Sequence, residues 1–319
     1  MGNWKKNEDE AFLLRLNQLL AVADFEKDRV EISNAYHKPI LYIVGAPRSG
    51  TTLAHQVLAA ALPLDYVDNI VARFWLRPSV GINLSRILLG EERHKQIVYR
   101  SRLGVSEGVA GPHEFGYFWN HWFRYDLART HHLAQDELAR IDTLGLKNVL
   151  EDELLTNARE GFLFKNLACG FQAPLLARLH SNSLFIHIVR GRRSTTASIL
   201  HWRYRLTGSF EQWFSLKPSS YPSANLVHDP VAQVVQQVDS IRSEMAETLS
   251  QSGVSAMEAR YEEICEDPAG FVGRVAERLT DMGCTIQPRQ VDFPALALGE
   301  RGSSLPDEYR HRLEALCQD

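Results

Sequence analysis

The segment Gly45-Ala46-Pro47-Arg48-Ser49-Gly50-Thr51-Thr52 carries the residue types of a phosphate-binding loop. The Gly45-x-x-x-x-Gly50 spacing gives the chain two points for a tight turn, and Ser49, Thr51 and Thr52 add hydroxyls. Between a strand and a helix start, such a loop gathers backbone N–H donors and the positive end of a helix dipole around one anion. Arg48 adds a forked, permanently charged donor. In triphosphate-binding loops, a lysine after the second glycine reaches the β- and γ-phosphates, and the next hydroxyl holds magnesium. Thr51 stands in that lysine's place. A triphosphate would lose a main charge partner here, whereas a ligand with a single phosphate at this end would lose less.

A second constellation lies in "IVRGRRSTTAS", where a strand pattern runs into Arg190 and a helix opens near residue 194. Ser198, eight positions after Arg190, then falls about one turn into that helix, with its hydroxyl able to face back. Arg192 and Arg193 thicken the positive charge. From residue 161 to residue 210 there are seven Lys or Arg and no Asp or Glu, although the whole chain carries a formal charge of -4. A solvated basic loop or a nucleic-acid patch would also be basic. Here, however, the arginines cluster at a strand end rather than along one helix face. The two constellations imply a ligand with phosphates at both of its ends.

These residues need elements to hold them. "PILYIV" is a short, wholly apolar run ending in Gly-Ala-Pro, the pattern of a buried parallel strand followed by a loop. A helix over 52–62 follows, stopped by Pro63. Residues 161–166, 183–189 and a stretch ending near Tyr261 read as further strands, each followed by a helical pattern. Strands alternating with helices predict an α/β fold, three layers around a mainly parallel sheet, with ligands at the carboxyl ends of the strands. Residues 8–25 read as an amphipathic helix with Phe12, Leu16, Leu19, Leu20 and Phe25 near helical spacing. The long part over 74–155 is helical and aromatic, and 217–230 reads as a surface loop.

The motifs together resemble the sulfotransferases that use 3′-phosphoadenosine 5′-phosphosulfate (PAPS). "GAPRSGTT" is similar to their 5′-phosphosulfate loop, "IVRGRRSTTAS" to their 3′-phosphate motif, "RYEEICEDP" (260–268) to their R-Y-E-x-L-x-x-D-P segment, and "FLFKN" (162–166) to the strand that supplies a lysine. All four occur in the family's order over roughly 39–285, and the match is nearest the bacterial, carbohydrate- and tyrosyl-type branch. The resemblance implies a P-loop sulfotransferase domain spanning 1–319, with an acceptor-side helical insertion over 66–160 and a closing segment over 286–319. It also implies roles residue by residue. Arg48, Ser49, Gly50, Thr51 and Thr52 would hold the 5′-phosphosulfate, Arg190 and Ser198 the 3′-phosphate, and Tyr261 would lie near the adenine. Lys165 would face the sulfuryl end, and Arg301 would reach a phosphate from the closing segment. The product would be adenosine 3′,5′-bisphosphate (PAP), the acceptor a hydroxyl of a carbohydrate, lipid or small molecule.

The steroid and phenol branch places a histidine base two residues after the strand lysine, but Leu167 stands there. The base must come from elsewhere: Glu114 or His113, beside Pro112 at a helix start, or Asp68, at the spacing the tyrosyl branch uses. Glu114 is favoured. First-turn acids also cap helices, and Asp68 also suits a turn. The aromatic run Phe115, Tyr117, Phe118, Trp119, Trp122 and Phe123 suits either a core or an acceptor pocket. Two other readings stay open: a small-metabolite kinase, which Thr51 disfavours, and a nucleotide-binding protein without catalysis.

Composition sets the outer bounds. The chain has 319 residues, 45% of them hydrophobic, enough for one large core. Cys169, Cys265, Cys284 and Cys317 form no C-x-x-C pair and read as small core hydrophobes in a reducing, cytoplasmic setting. The charged N-terminus lacks a signal-peptide pattern, Lys6 breaks a myristoylation pattern, and no apolar run reaches a membrane span's length. The histidines lack zinc-site spacing, so no metal is expected. The negative net charge argues against nucleic acid as a partner.

Overall fold

The computed structural model describes residues 7–23, 37–102, 104–126, 128–296 and 305–317. Helix α1 (Asn7–Val22) precedes the central strand β1 (Ile40–Gly45), every residue of which is buried. The apolar run demanded this, since a parallel strand with helices on both faces has no solvent side. The loop after Gly45 enters α2 (Thr51–Ala61), which ends before Pro63, where the ring cannot continue it. Next come the two-residue strand β2 (Asp65–Tyr66) and helix α3 (Pro78–Leu89). The hairpin β3 (Ser101–Arg102) and β4 (Val105–Ser106) follows, then helix α4 (Gly116–Phe123). Short helices α5 (Gln135–Leu138) and α6 (Thr143–Asn148) lead through a π-helical stretch, Val149–Leu155, to β5 (Phe162–Lys165). The last part alternates as expected: α7 (Ala173–Leu179), β6 (Ser183–Val189), α8 (Arg192–Thr207), α9 (Tyr221–Ala224) and α10 (Pro230–Leu249). It closes with β7 (Ser255–Arg260), α11 (Tyr261–Glu266), α12 (Pro268–Asp281) and α13 (Asp307–Leu316).

The main sheet runs β2-β5-β1-β6-β7, all pairs parallel, which is the α/β architecture that the alternation predicted. Its register sets the site. Ile43 lies opposite Lys165, Gly45 opposite Ile188, and Val189 opposite Arg260. The loop after β1, the end of β5 and the residues after β6 and β7 therefore emerge side by side at one edge.

Alternation along each strand splits the core in two. Tyr42, Phe162, Phe164 and Phe185 face α4, α7 and α10, while Leu41, Ile43, Leu163 and Ile186 face α2 and α12. Tyr42 stacks on Phe185 with ring centroids 4.9 Å apart and on Phe164 at 5.6 Å. Each such ring, fully buried, contributes roughly 1.5–3 kcal/mol over its exposed state. All four cysteines are buried, and none forms a disulfide among the described residues.

Two expectations change. Helix α1 turns a different face inward: Asn17 is fully buried, while Phe12 and Leu19 are exposed. Asn17 fixes this rotation, since its Nδ2 donates to the Arg73 carbonyl (2.7 Å) and its Oδ1 accepts from the Leu76 amide (2.9 Å). The 217–230 loop contains the short helix α9. Strand β7 ends at Arg260, next to Tyr261, as the sequence pattern expected. The C-terminal α13 packs on α8 and α10. Arg301 lies outside the described residues.

Candidate active site

The loop between β1 and α2 holds two residues in the left-handed region: Arg48 at φ 67 and Gly50 at φ 99. A non-glycine residue there is strained, and such strain collects at ligand-binding loops. Gly50 meets a second requirement, because a Cβ on it would lie 2.1 Å from the Tyr261 ring. Among the described residues no side chain caps the start of α2, which leaves its first amides open for an anion. A cavity of about 350 Å³ lies over them, lined by Arg48, Gly50, Thr51, Thr52, Arg190 and Tyr261 among others. Ser49 is buried beneath the loop and does not line it.

The expected second anion site is joined to the first. The Arg48 Nε donates to Ser198 Oγ (3.2 Å), and Arg190 Nη1 donates to the Arg48 carbonyl (3.3 Å). Arg190 also lies over the Tyr261 ring, 4.4 Å from its centroid. Helix α8 starts at Arg192, so Ser198 falls nearly two turns in, 2% exposed, and orients Arg48 instead of facing the cavity. Arg192 and Arg193 point elsewhere, to Asp239 and to Glu314. At the head of α8, the Gly191 amide donates to Glu262 Oε1 (3.0 Å), so an acid of the chain occupies that helix start.

Lys165, at the end of β5, is 2% exposed and paired with Glu114. Burial pushes its pKa down and the Glu114 carboxylate pulls it back up, with Arg48 lowering it slightly. Lys165 lines neither of the large cavities at this edge, whereas Glu114 lines both. The hairpin β3–β4 turns at Gly104, whose carbonyl accepts from Thr52 Oγ1 (3.0 Å) and lies 3.5 Å from Lys165 Nζ. This tip ties the loop, the lysine and the glutamate together.

The second cavity, of about 610 Å³, adjoins the first, and Glu114, Leu167 and Ser215 line both. Its wall includes His113, Tyr117, Trp119, Tyr125, His131 and Lys217. His113 therefore shares Glu114's setting, although its Nδ1 accepts from the Phe115 amide (2.9 Å). Asp68 does not share it. It is fully buried, and its Oδ1 accepts from the amides of Ile70 and Val71 (both 2.9 Å). Its Oδ2 accepts from Arg93 Nη1 (2.8 Å) and from the Ser85 hydroxyl. With both oxygens committed to a buried ion pair and a helix start, this carboxylate has a structural role. The aromatic run is divided: Phe115, Phe118 and Phe123 are core, and Tyr117 and Trp119 line the cavity.

Gly104, Ser101, Phe214 and Ser215 line the first cavity without any signal in the sequence reading beyond Gly104's capacity for positive φ. A third cavity, of about 540 Å³, shares Leu53, Ser101 and Tyr261 with the first and continues past them toward Tyr99 and Pro294. Among the described residues, no cluster of three or more His, Cys, Asp or Glu side chains could hold a metal ion, and no helix is long and apolar enough to cross a membrane.

Residues 39–280 match the model of a family described as the sulfotransferase family. Among solved structures, a sulfotransferase from Mycobacterium tuberculosis is similar at 15% identity and a TM-score of 0.52, covering 97% of this chain and 85% of that one. A sulfotransferase from Mycobacterium avium is similar at 17% identity and a TM-score of 0.51, with the same coverage. At these identities the likeness is one of fold. No curated protein matches the chain.

Proposed function

This chain belongs to the sulfotransferase family, and on that premise we propose that it transfers a sulfuryl group from PAPS to a hydroxyl of a carbohydrate, lipid or small-molecule acceptor. The observation that carries the reading is the meeting of two cavities at Glu114, one lined by anion-binding groups and the other by aromatic and polar side chains. The donor set suits PAPS: uncapped amides at α2, Arg48, Thr51 and Thr52 for one phosphate, Arg190 for another, and the Tyr261 ring beside them for the base.

When bound, PAPS supplies the sulfuryl group: the acceptor oxygen bonds to sulfur as the bond from sulfur to the 5′-phosphate oxygen breaks. The chain's share is position and charge. Arg48, held by Ser198, and the α2 amides grip the 5′ end. Arg190 takes the 3′-phosphate, and a base pocket continues past Tyr261. Glu114 accepts the hydroxyl proton, a contribution of roughly 10²–10⁴-fold. Lys165, behind it, holds positive charge where negative charge grows on the leaving oxygen. As Glu114 turns to an acceptor hydroxyl, the Lys165 ammonium is released toward that oxygen. His113 stands ready on the same wall as the alternative base.

Calorimetric titration with PAP checks the donor half of this reading. The expected result is one tight site per chain, with adenosine 5′-monophosphate binding more weakly. No detectable heat with PAP would remove PAPS as the donor.

A further inference from the structure

Helix α2 runs from the phosphate loop into the third cavity, and one side chain on it has an acceptor left over. Gln56 is 2% exposed and lines that cavity beside Leu53 and Tyr261, which also line the donor cavity. Its Nε2 donates to the carbonyls of Val98 (3.2 Å) and Arg100 (3.1 Å) and to Ser106 Oγ (3.1 Å). Three oxygens around one end of the amide fix that end as nitrogen, since an amide oxygen there would face two carbonyls. The other end, Oε1, points away from them. No donor among the described residues reaches Oε1, and it is not one of the sealed, unpartnered side-chain atoms of the interior. The little surface that Gln56 keeps therefore includes this oxygen, and the space it opens to is the cavity it lines.

The rest of the lining gives Oε1 a distinct part. The other polar side chains there are Tyr99, Arg100, Ser101 and Tyr261. A guanidinium only donates, and hydroxyls both donate and accept. Among the described residues of this lining, Gln56 Oε1 is the side-chain group that can only accept. The remaining wall, with Leu53, Ile97 and Pro294 in it, is apolar and suits the faces of a flat ring. Helix α2 also sets the spacing. From Thr51, at the anion-binding head, to Gln56 is five residues, about 7.5 Å along the axis. That is the kind of reach that separates the 5′-phosphate of a nucleotide from its base. Thr52 and Gln56, four positions apart, share a face of α2 and both hold the β3–β4 hairpin, Thr52 at the Gly104 carbonyl and Gln56 at Arg100 and Ser106. The phosphate end and the third cavity are thus set on one helix.

We propose that Gln56 selects the base of the donor, its Oε1 accepting from the exocyclic amino group of an adenine seated in the third cavity. This rests on the reading of the donor as PAPS. An amino group at position 6 of the purine meets the oxygen as a donor. A carbonyl at the same place, as in hypoxanthine or guanine, sets two acceptors against each other with no proton between them. Gln56 cannot turn its amide over to meet that carbonyl, because Val98 and Arg100 hold Nε2. A purine with only hydrogen at position 6 leaves the oxygen without a partner but brings no repulsion. Gln56 thus acts on which nucleotide is taken and stays outside the transfer step.

The test is calorimetric titration of the full chain with PAP and with the 3′,5′-bisphosphates of purine riboside, which has hydrogen at position 6, and of inosine, which has a carbonyl there. PAP is expected to bind about tenfold or more tightly than either, with the inosine compound the weakest. Gln56→Met brings the three affinities within about threefold of one another. Ser106→Ala, which takes one bond from Nε2 and leaves Oε1 in place, keeps the preference. A glutamine that only supports the hairpin would, once replaced by methionine, weaken all three ligands alike and leave their ratios intact, and that result overturns the proposal. Equal binding of the three ligands by the unmodified chain overturns it too, without need of any variant. Failure of PAP to bind the unmodified chain is a separate outcome, which removes the donor reading and this proposal with it.

Discussion

Replacing Glu114 with glutamine lowers the rate of sulfuryl transfer about 100-fold or more while leaving PAP affinity within a few-fold at neutral pH. Glutamine keeps the shape of the side chain and an oxygen that accepts from Lys165, so a buried ammonium is not left without an acceptor. Alanine would leave that group stranded and confuse a chemical loss with a structural one. Glutamine's amide cannot accept the hydroxyl proton, and this loss appears in the chemical step. The variant has a second signature. Glu114 is what raises the Lys165 pKa against its burial. Without that carboxylate the ammonium loses its proton at lower pH, so the variant's PAP affinity falls off earlier on the alkaline side than that of the unmodified chain. Single-turnover transfer and calorimetry across pH separate the two effects. Near-normal transfer would shift the base to His113, which lines the same cavity.

Replacing Arg190 with alanine weakens PAP binding about 100-fold or more and adenosine 5′-monophosphate binding only a few-fold. The two ligands differ by the 3′-phosphate alone, so the ratio of losses isolates that contact. The comparison is needed because Arg190 also has work inside the chain. It donates to the Arg48 carbonyl and stacks over Tyr261, and its own carbonyl accepts from Arg242. Loss of the loop contact would weaken both ligands alike. Equal losses, measured calorimetrically, would make Arg190 a support for the loop and leave the 3′-phosphate without its main partner.

The parts of this site that were legible in the sequence are those fixed by neighbours along the chain. An apolar run, two glycines and a helix start place Arg48, Gly50, Thr51 and Thr52 in one step, and Arg190 follows from the end of an equally plain strand. What the sequence could not show depends on partners far away in it. Asp68 suits a base by spacing, but Ser85 and Arg93 take its free oxygen. Ser198 reads as a phosphate ligand until the third dimension brings Arg48 to it across 150 residues. Arg192 and Arg193 look like the same positive cluster as Arg190, yet helical geometry turns them to Asp239 and Glu314. Helix α1 leaves Phe12 and Leu19 exposed, while Asn17 bonds to Arg73 and Leu76, partners far along the chain. The hairpin tip at Gly104 has strands of two residues each, too short for any periodicity to mark.

The missing lysine at Thr51 is answered within the same geometry. The loop has Arg48 instead, reaching in from the left-handed turn and held by Ser198, and the further charge comes from Arg190 on the next strand. The Tyr261 ring fits against Gly50 because glycine has no side chain to keep it away. Both arginines line one cavity, which the proposed function gives to a nucleotide with a phosphate at each end.

The most direct test is to incubate the purified chain with PAPS labelled in the sulfate and a panel of hydroxylated carbohydrates, lipids and small molecules. Label is expected in at least one acceptor with matching release of PAP, falling to about one-hundredth or less in Glu114→Gln. A chain that binds PAP yet moves no label to any acceptor would contradict it.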